Sequence, residues 1–136
     1  MRTVEITPSA LTSASASIAD GPVFMVNLLR YKERADYADK ADMAGKTGRE
    51  AYFEHYVPAF RAVAAAEGVD VFYLGAVMSS VVAPDGERWD DVAIVRYPSF
   101  AAFRRIVESP EYLETAAHHR KAALDDWRLI ATNKMS

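Results

Sequence analysis

The stretch GPVFMVNLLRY, residues 21–31, decides how this chain folds. From Val23 to Leu29 every side chain is apolar except Asn27, which sits in the middle. A short apolar run that follows Gly-Pro and ends in charge predicts a strand. Side chains alternate across a strand, so Val23, Met25 and Leu29 lie on one side and Phe24, Val26 and Leu28 on the other. A sheet covered on one face only should alternate apolar with polar. This strand is apolar on both. The same holds further on, where Val71, Tyr73 and Val77 oppose Phe72, Leu74 and Met78, and where Ala93, Val95 and Tyr97 oppose Val92 and Ile94.

Working outward, Val4-Glu5-Ile6 reads as a short strand, and Thr7-Pro8 as a cap with proline in the first turn of a helix over Ser9–Ile18. Residues 1–20 form an N-terminal extension to a single domain over 21–136. Residues 32–48, KERADYADKADMAGKTG, are a charged connector, read as a solvated insertion with a helical turn around Tyr37 or as a lid. Tyr52, Tyr56, Phe60 and Val63 then share one face of a helix from Arg49 to Glu67. Pro58 kinks it, because proline donates no hydrogen bond and crowds the Glu54 carbonyl. Gly68 ends it. A strand over Val69–Val82, a turn at Pro84-Asp85-Gly86 and a strand over Trp89–Tyr97 follow. Pro98-Ser99 and Ser109-Pro110-Glu111 start two helical pieces, the second reaching Leu124, and Trp127–Lys134 is the last strand.

Strand, helix, two strands, helix pair, strand is the order of the ferredoxin-like α+β fold: a four-stranded antiparallel sheet with helices on one face. The other face of these strands is apolar too, and a patch that large needs cover. A second copy packed sheet to sheet, as a symmetric homodimer, supplies it.

Composition narrows the function classes. A net charge of −3 leaves no basic footprint for nucleic acid. The absence of cysteine removes disulfides, thiolate nucleophiles and cysteine-ligated metals. No stretch approaches the roughly 20 apolar residues of a membrane helix, and the first twenty residues lack the apolar run of a signal peptide. A cytoplasmic protein is expected.

GPVFMVNLLRY, GREAYFEHYVPAF, WDDVAIVRYPSFAAF and SPEYLETAAHHRKAAL, followed by DWRLI, resemble in order the family called domain of unknown function 1330, over roughly residues 21–134. That family belongs to the dimeric α/β-barrel superfamily. The resemblance implies the fold and the dimer and carries no settled reaction.

Asn27 is the first candidate site residue, as a donor and acceptor lining a pocket or as a core amide bonded to backbone; either way it needs partners. His55, next to Tyr56 and one turn after Tyr52, is the candidate general base, against the plainer reading of a half-exposed helix residue. Tyr52 and Tyr56 are candidate ligand contacts on an otherwise apolar face. Trp89 and Arg96 on the third strand are candidates for a ligand or for a dimer seam. Arg120 faces partly inward, where a guanidinium wants a carboxylate from Asp90, Asp126 or Glu111, as an ion pair tying helix to sheet, or else clamps the anion of a ligand. His118 and His119 point about 100° apart on a helix and cannot share an ion, so no metal is expected, and no motif calls for a cofactor.

The leading expectation is a small-molecule-binding homodimer, with or without a cofactor-independent reaction on an acidic or aromatic metabolite. A non-enzymatic assembly or binding module is the alternative. The haem-degrading monooxygenases of the same superfamily offer a third reading through Asn27 and Trp89. The helix SFAAFRRIVES lacks the histidine that this third reading requires.

Overall fold

In the computed structural model, which describes residues 2–38 and 45–135, the chain is built around β1, Val23–Tyr31. β3 (Asp91–Tyr97) and β4 (Leu124–Thr132) flank it, both antiparallel, and β2 (Asp70–Ala76) lies outside β3, giving the order β2-β3-β1-β4. The helices are α1 (Pro8–Ser17), α2 (Gly48–Ala51), α3 (Val57–Ala64), α4 (Phe100–Val107), α5 (Pro110–Thr115) and α6 (Ala117–Ala123). This is the ferredoxin-like α+β arrangement, with β1 and β3 at the centre of the sheet.

Burial alternates along the whole of β1. Val23, Met25, Asn27, Leu29 and Tyr31 are buried, and Phe24, Val26, Leu28 and Arg30 between them are half-buried. The first set packs on the helices, so Asn27 lies beneath them. The second set shares the open face with Val92, Ile94 and Arg96 of β3 and with Arg128, Ile130 and Thr132 of β4.

Caps start several helices where the sequence places them. The side-chain oxygens of Thr7, Ser99 and Ser109 accept from the backbone N–H of Ala10, Ala102 and Tyr112 at 3.1–3.2 Å. Thr47 and Glu50 form a reciprocal capping box at the start of α2.

Several expectations are corrected. The helix after the connector is not one kinked rod: five residues, Tyr52–Tyr56, form a π-turn between α2 and α3. Pro58 is part of the cause. It has no N–H for the Glu54 carbonyl, and the Val57 N–H bonds back five residues to the Tyr52 carbonyl. Val4-Glu5-Ile6 makes no strand; the Thr3 N–H donates to the Asp126 carboxylate at 2.9 Å instead of to a sheet edge. β2 stops at Ala76, and a register shift between Val71 and Tyr73 breaks its alternation. Val71 and Leu74 therefore both face the helix side, while Phe72 meets Phe24 on the open face with ring centroids 5.1 Å apart. The last strand starts at Leu124, three residues early.

Beyond β2, Met78, Val81 and Val82 are 99%, 90% and 95% exposed. The connector's first end is pinned along α6, where the Lys32 and Asp36 N–H groups donate to the carbonyls of Ala123 and Ala122, and its far end is tied to its start by the Gly48 N–H donating to the Lys32 carbonyl. Its middle, residues 39–44, lies outside the described residues, and the lid reading falls partly there.

Candidate functional site

The π-turn and α3 lie over β1, β3 and β2 and leave a cavity of about 380 Å³ between helix and sheet. Its helix wall carries Tyr52, Tyr56, Val57 and Phe60, and its sheet wall Asn27, Ala93, Val95, Tyr97 and Leu74. Arg61, Gly68 and Asp70 line it as well. A π-turn shifts the residues on either side of it around the helix axis. Here Tyr52 and Tyr56 stack, with ring centroids 5.0 Å apart, as neighbours on the cavity wall.

Asn27 forms part of the floor, and most of its hydrogen-bonding capacity is used within the fold. Nδ2 donates to the carbonyls of Met25 and Ala93 at 3.3 and 3.2 Å, and the side-chain oxygen accepts from the Trp127 indole N–H at 3.0 Å. The asparagine therefore has the partners that a buried amide needs.

Behind Tyr56 lies the least usual feature of the core. Arg120 is 4% exposed, and no carboxylate pairs with it among the described residues. The three acids that the sequence suggests are otherwise placed. Asp90 accepts from the Tyr31 N–H and from Arg88, Asp126 serves Thr3, Trp127, Arg128 and Arg30, and Glu111 is exposed. Instead Arg120 donates from Nη1 to the Tyr112 hydroxyl at 2.5 Å and lies over the rings of Trp127 and Tyr112. Its buried Nε has no partner among the described residues. The Tyr112 hydroxyl is 2.9 Å from that of Tyr56.

The Tyr52 and Tyr97 hydroxyls have no hydrogen-bond partner among the described residues, although the two side chains are 9% and 4% exposed. Burial, with nearby tyrosines adding to it, pushes the phenols of Tyr52, Tyr56 and Tyr97 well above the usual range. All three are O–H donors at any ordinary pH.

The family model Domain of unknown function (DUF1330) matches residues 41–133. The chain belongs to this family. A protein of unknown function from Rhodopseudomonas palustris, RPA0582, is similar over 100% of this chain and 99% of its own, at 33% identity and a TM-score of 0.87. The methylated form of RPA0582 gives 32% identity and 0.85, covering 99% and 96% of the two chains. A dabb family protein with a ferredoxin-like fold from Mesorhizobium loti is similar at 13% identity and a TM-score of 0.56, over 86% of this chain and 100% of that one, a likeness of fold alone. No curated protein matches the chain.

In this DUF1330 protein the other candidates lie away from the cavity. Arg96 is on the open sheet face, 3.6 Å from Asp70. Trp89 lies under the Arg128 guanidinium, on the same side of the sheet. His55 is not among the cavity-lining residues; its ring stacks on His119 at 5.3 Å, and its Nε2 is buried without a partner among the described residues. His118 and His119 are 4.0 Å apart, and the Tyr37 hydroxyl meets His119 Nδ1 at 2.6 Å, so the three histidines gather under the connector. Among the described residues no group of three or more His, Cys, Asp or Glu is placed to hold a metal ion. The residues present do not fit haem: Asn27 is on the cavity side of the sheet, Trp89 on the other, and no histidine lines the cavity.

Sequence reasoning missed Tyr112, Tyr97 and Trp127 as site residues. One signal was available. Tyr112 and Arg120 are eight residues apart in a helical stretch, about two turns, and so share a face.

Proposed function

We propose that this DUF1330 protein is a homodimer that binds a small molecule in the cavity between the π-turn helix and the sheet. The observation that carries the reading is the cavity itself: about 380 Å³, largely apolar and aromatic, with the hydroxyls of Tyr52 and Tyr97 unspent on its walls. That size and make-up match sites for small organic ligands. The dimer is supported by the open face, where Phe24, Val26, Leu28, Val92 and Ile94 are half-buried and Phe72, Tyr73 and Ile130 are 53%, 54% and 49% exposed. On this reading Arg96 and Trp89 belong to the seam between copies, and Tyr52, Tyr56 and Asn27 to the ligand site. The cell compartment proposed is the cytoplasm, from the sequence alone.

Native mass spectrometry of the purified protein tests both halves. A dimer carrying extra mass that leaves on denaturation is the expected result. A monomer overturns the seam. A dimer that carries no added mass, and whose cavity residues no small aromatic probe perturbs, overturns the ligand site and favours a module used only for assembly.

A further inference from the structure

A guanidinium nine-tenths or more buried is costly to hold without a counter-charge, yet Arg120 has none among the described residues and leaves Nε unpaired. What it does have is a directed chain of hydroxyls. Arginine only donates. The Tyr112 oxygen therefore accepts from Arg120 Nη1, and its own proton is free to be donated to the Tyr56 oxygen, 2.9 Å away. The Tyr56 proton is then left for an acceptor in the cavity that Tyr56 lines. Each link makes the next hydroxyl a stronger donor.

We propose that this end of the cavity is an oxyanion site, where Tyr56, polarised by Arg120 through Tyr112, donates to the carboxylate of the bound ligand. The proposal rests on the cavity being the ligand site. It names the ligand class: a small aromatic or otherwise flat apolar acid, its ring against Phe60 and Val95 and its carboxylate toward the tyrosines. Tyr52 and Tyr97 supply the further donors that a carboxylate, with about four lone-pair sites, accepts. The raised phenol pKa values keep all three donors protonated beside an anion. Arg120 itself does not line the cavity and acts on that carboxylate only through the Tyr112 and Tyr56 hydroxyls.

The test uses 2-naphthoate and its neutral isostere 2-naphthamide, titrated into the full chain and followed by amide NMR shifts. Naphthoate should bind about tenfold or more tighter than naphthamide, the difference expected of charge-assisted hydrogen bonds. Tyr56→Phe removes one oxygen from the cavity wall and should erase most of that preference. Tyr112→Phe, which keeps the Tyr56 hydroxyl but cuts it off from Arg120, should reduce it as well. Equal binding of acid and amide, or a preference that survives Tyr56→Phe in a folded protein, overturns the oxyanion site and leaves the cavity reading standing. If neither probe perturbs the cavity residues, the oxyanion site falls, and the ligand site falls with it where the purified protein also carries no added mass.

Discussion

The Trp127 indole N–H and the Asn27 side-chain oxygen meet at 3.0 Å across the β1–β4 seam, one hundred residues apart in the chain. On the opposite side Asn27 donates to the Ala93 carbonyl of β3, so a single amide ties the three strands β4, β1 and β3 together. Trp127 in turn carries the Arg120 guanidinium on its ring. The amide thus positions the buried cation, and with both N–H groups taken it has only a second lone pair on its oxygen to offer a ligand.

Replacing Asn27 with leucine should therefore destabilise the fold, by about 1–3 kcal/mol, because it strands the buried Trp127 indole N–H. Urea unfolding followed by tryptophan fluorescence measures it. An unchanged midpoint would mean that Trp127 finds another acceptor.

Asp91 is buried at 1% exposure and accepts from the Tyr31 hydroxyl and from Arg49 Nη1, both at 2.6 Å. Arg49→Ala leaves that carboxylate with one donor. Breaking a fully buried pair costs 3–5 kcal/mol, but Arg49 is itself 55% exposed, so a loss of about 1–3 kcal/mol is expected. Thermal unfolding of the variant against Arg49→Lys separates the lost charge from lost packing on Tyr31 and Phe53.

Burial raises the Asp126 carboxyl, but hydrogen bonds from the Thr3 N–H, Arg128 and the Trp127 N–H outweigh it and hold the group below the usual range. A carboxyl depressed in the folded state adds stability that is fully present above its unfolded pKa, about 4, and lost as pH falls through the folded value. Stability should thus be level from neutral pH down to about 5 and fall below about 4. Asp126→Asn should lower stability at pH 7 and make the acid limb shallower. An acid limb identical in the variant would assign it to other carboxyls.

A Cβ on Gly48 would collide with the backbone carbonyl oxygens of Lys32 and Ala123, where the connector rejoins the fold. Neither oxygen can yield without moving β1 or α6. Gly48→Ala should cost upward of about 2 kcal/mol, the usual range for overpacking against rigid neighbours, and calorimetry of the variant measures it.

Ile94 sits in the middle of the open face, paired with Val26 and Tyr73. A glutamate there would place a charge inside the proposed seam. Light scattering should show a dimer near twice the 15.1 kDa chain mass for the wild type and a single-chain mass for Ile94→Glu. Two equal masses in this comparison would remove the open face from the interface.

Much of the architecture was legible because it depends on local periodicity. The two-residue repeat of β1, the serine and threonine caps and the order of elements are each written within a few neighbouring residues, and the strand order follows from the short list of connections that such an order allows. Local rules failed where a backbone donor was missing: Pro58 alone predicts a kink, but whether the helix bends or takes up a π-turn depends on what packs beneath it.

The sequence by itself determined that both faces of the sheet are apolar and that one asparagine interrupts them. Only the tertiary structure decided which face the helices cover, and so that Asn27 is beneath them and Arg96 and Trp89 are not. It also decided that Arg120 answers to Tyr112 instead of a carboxylate, that Tyr112 meets Tyr56 from 56 residues away, and that three histidines gather outside the cavity. The physical reason is range. Periodicity sets the direction of a side chain relative to its own element, whereas a hydrogen-bond partner is set by where two separate elements cross, and no short stretch of chain records that crossing.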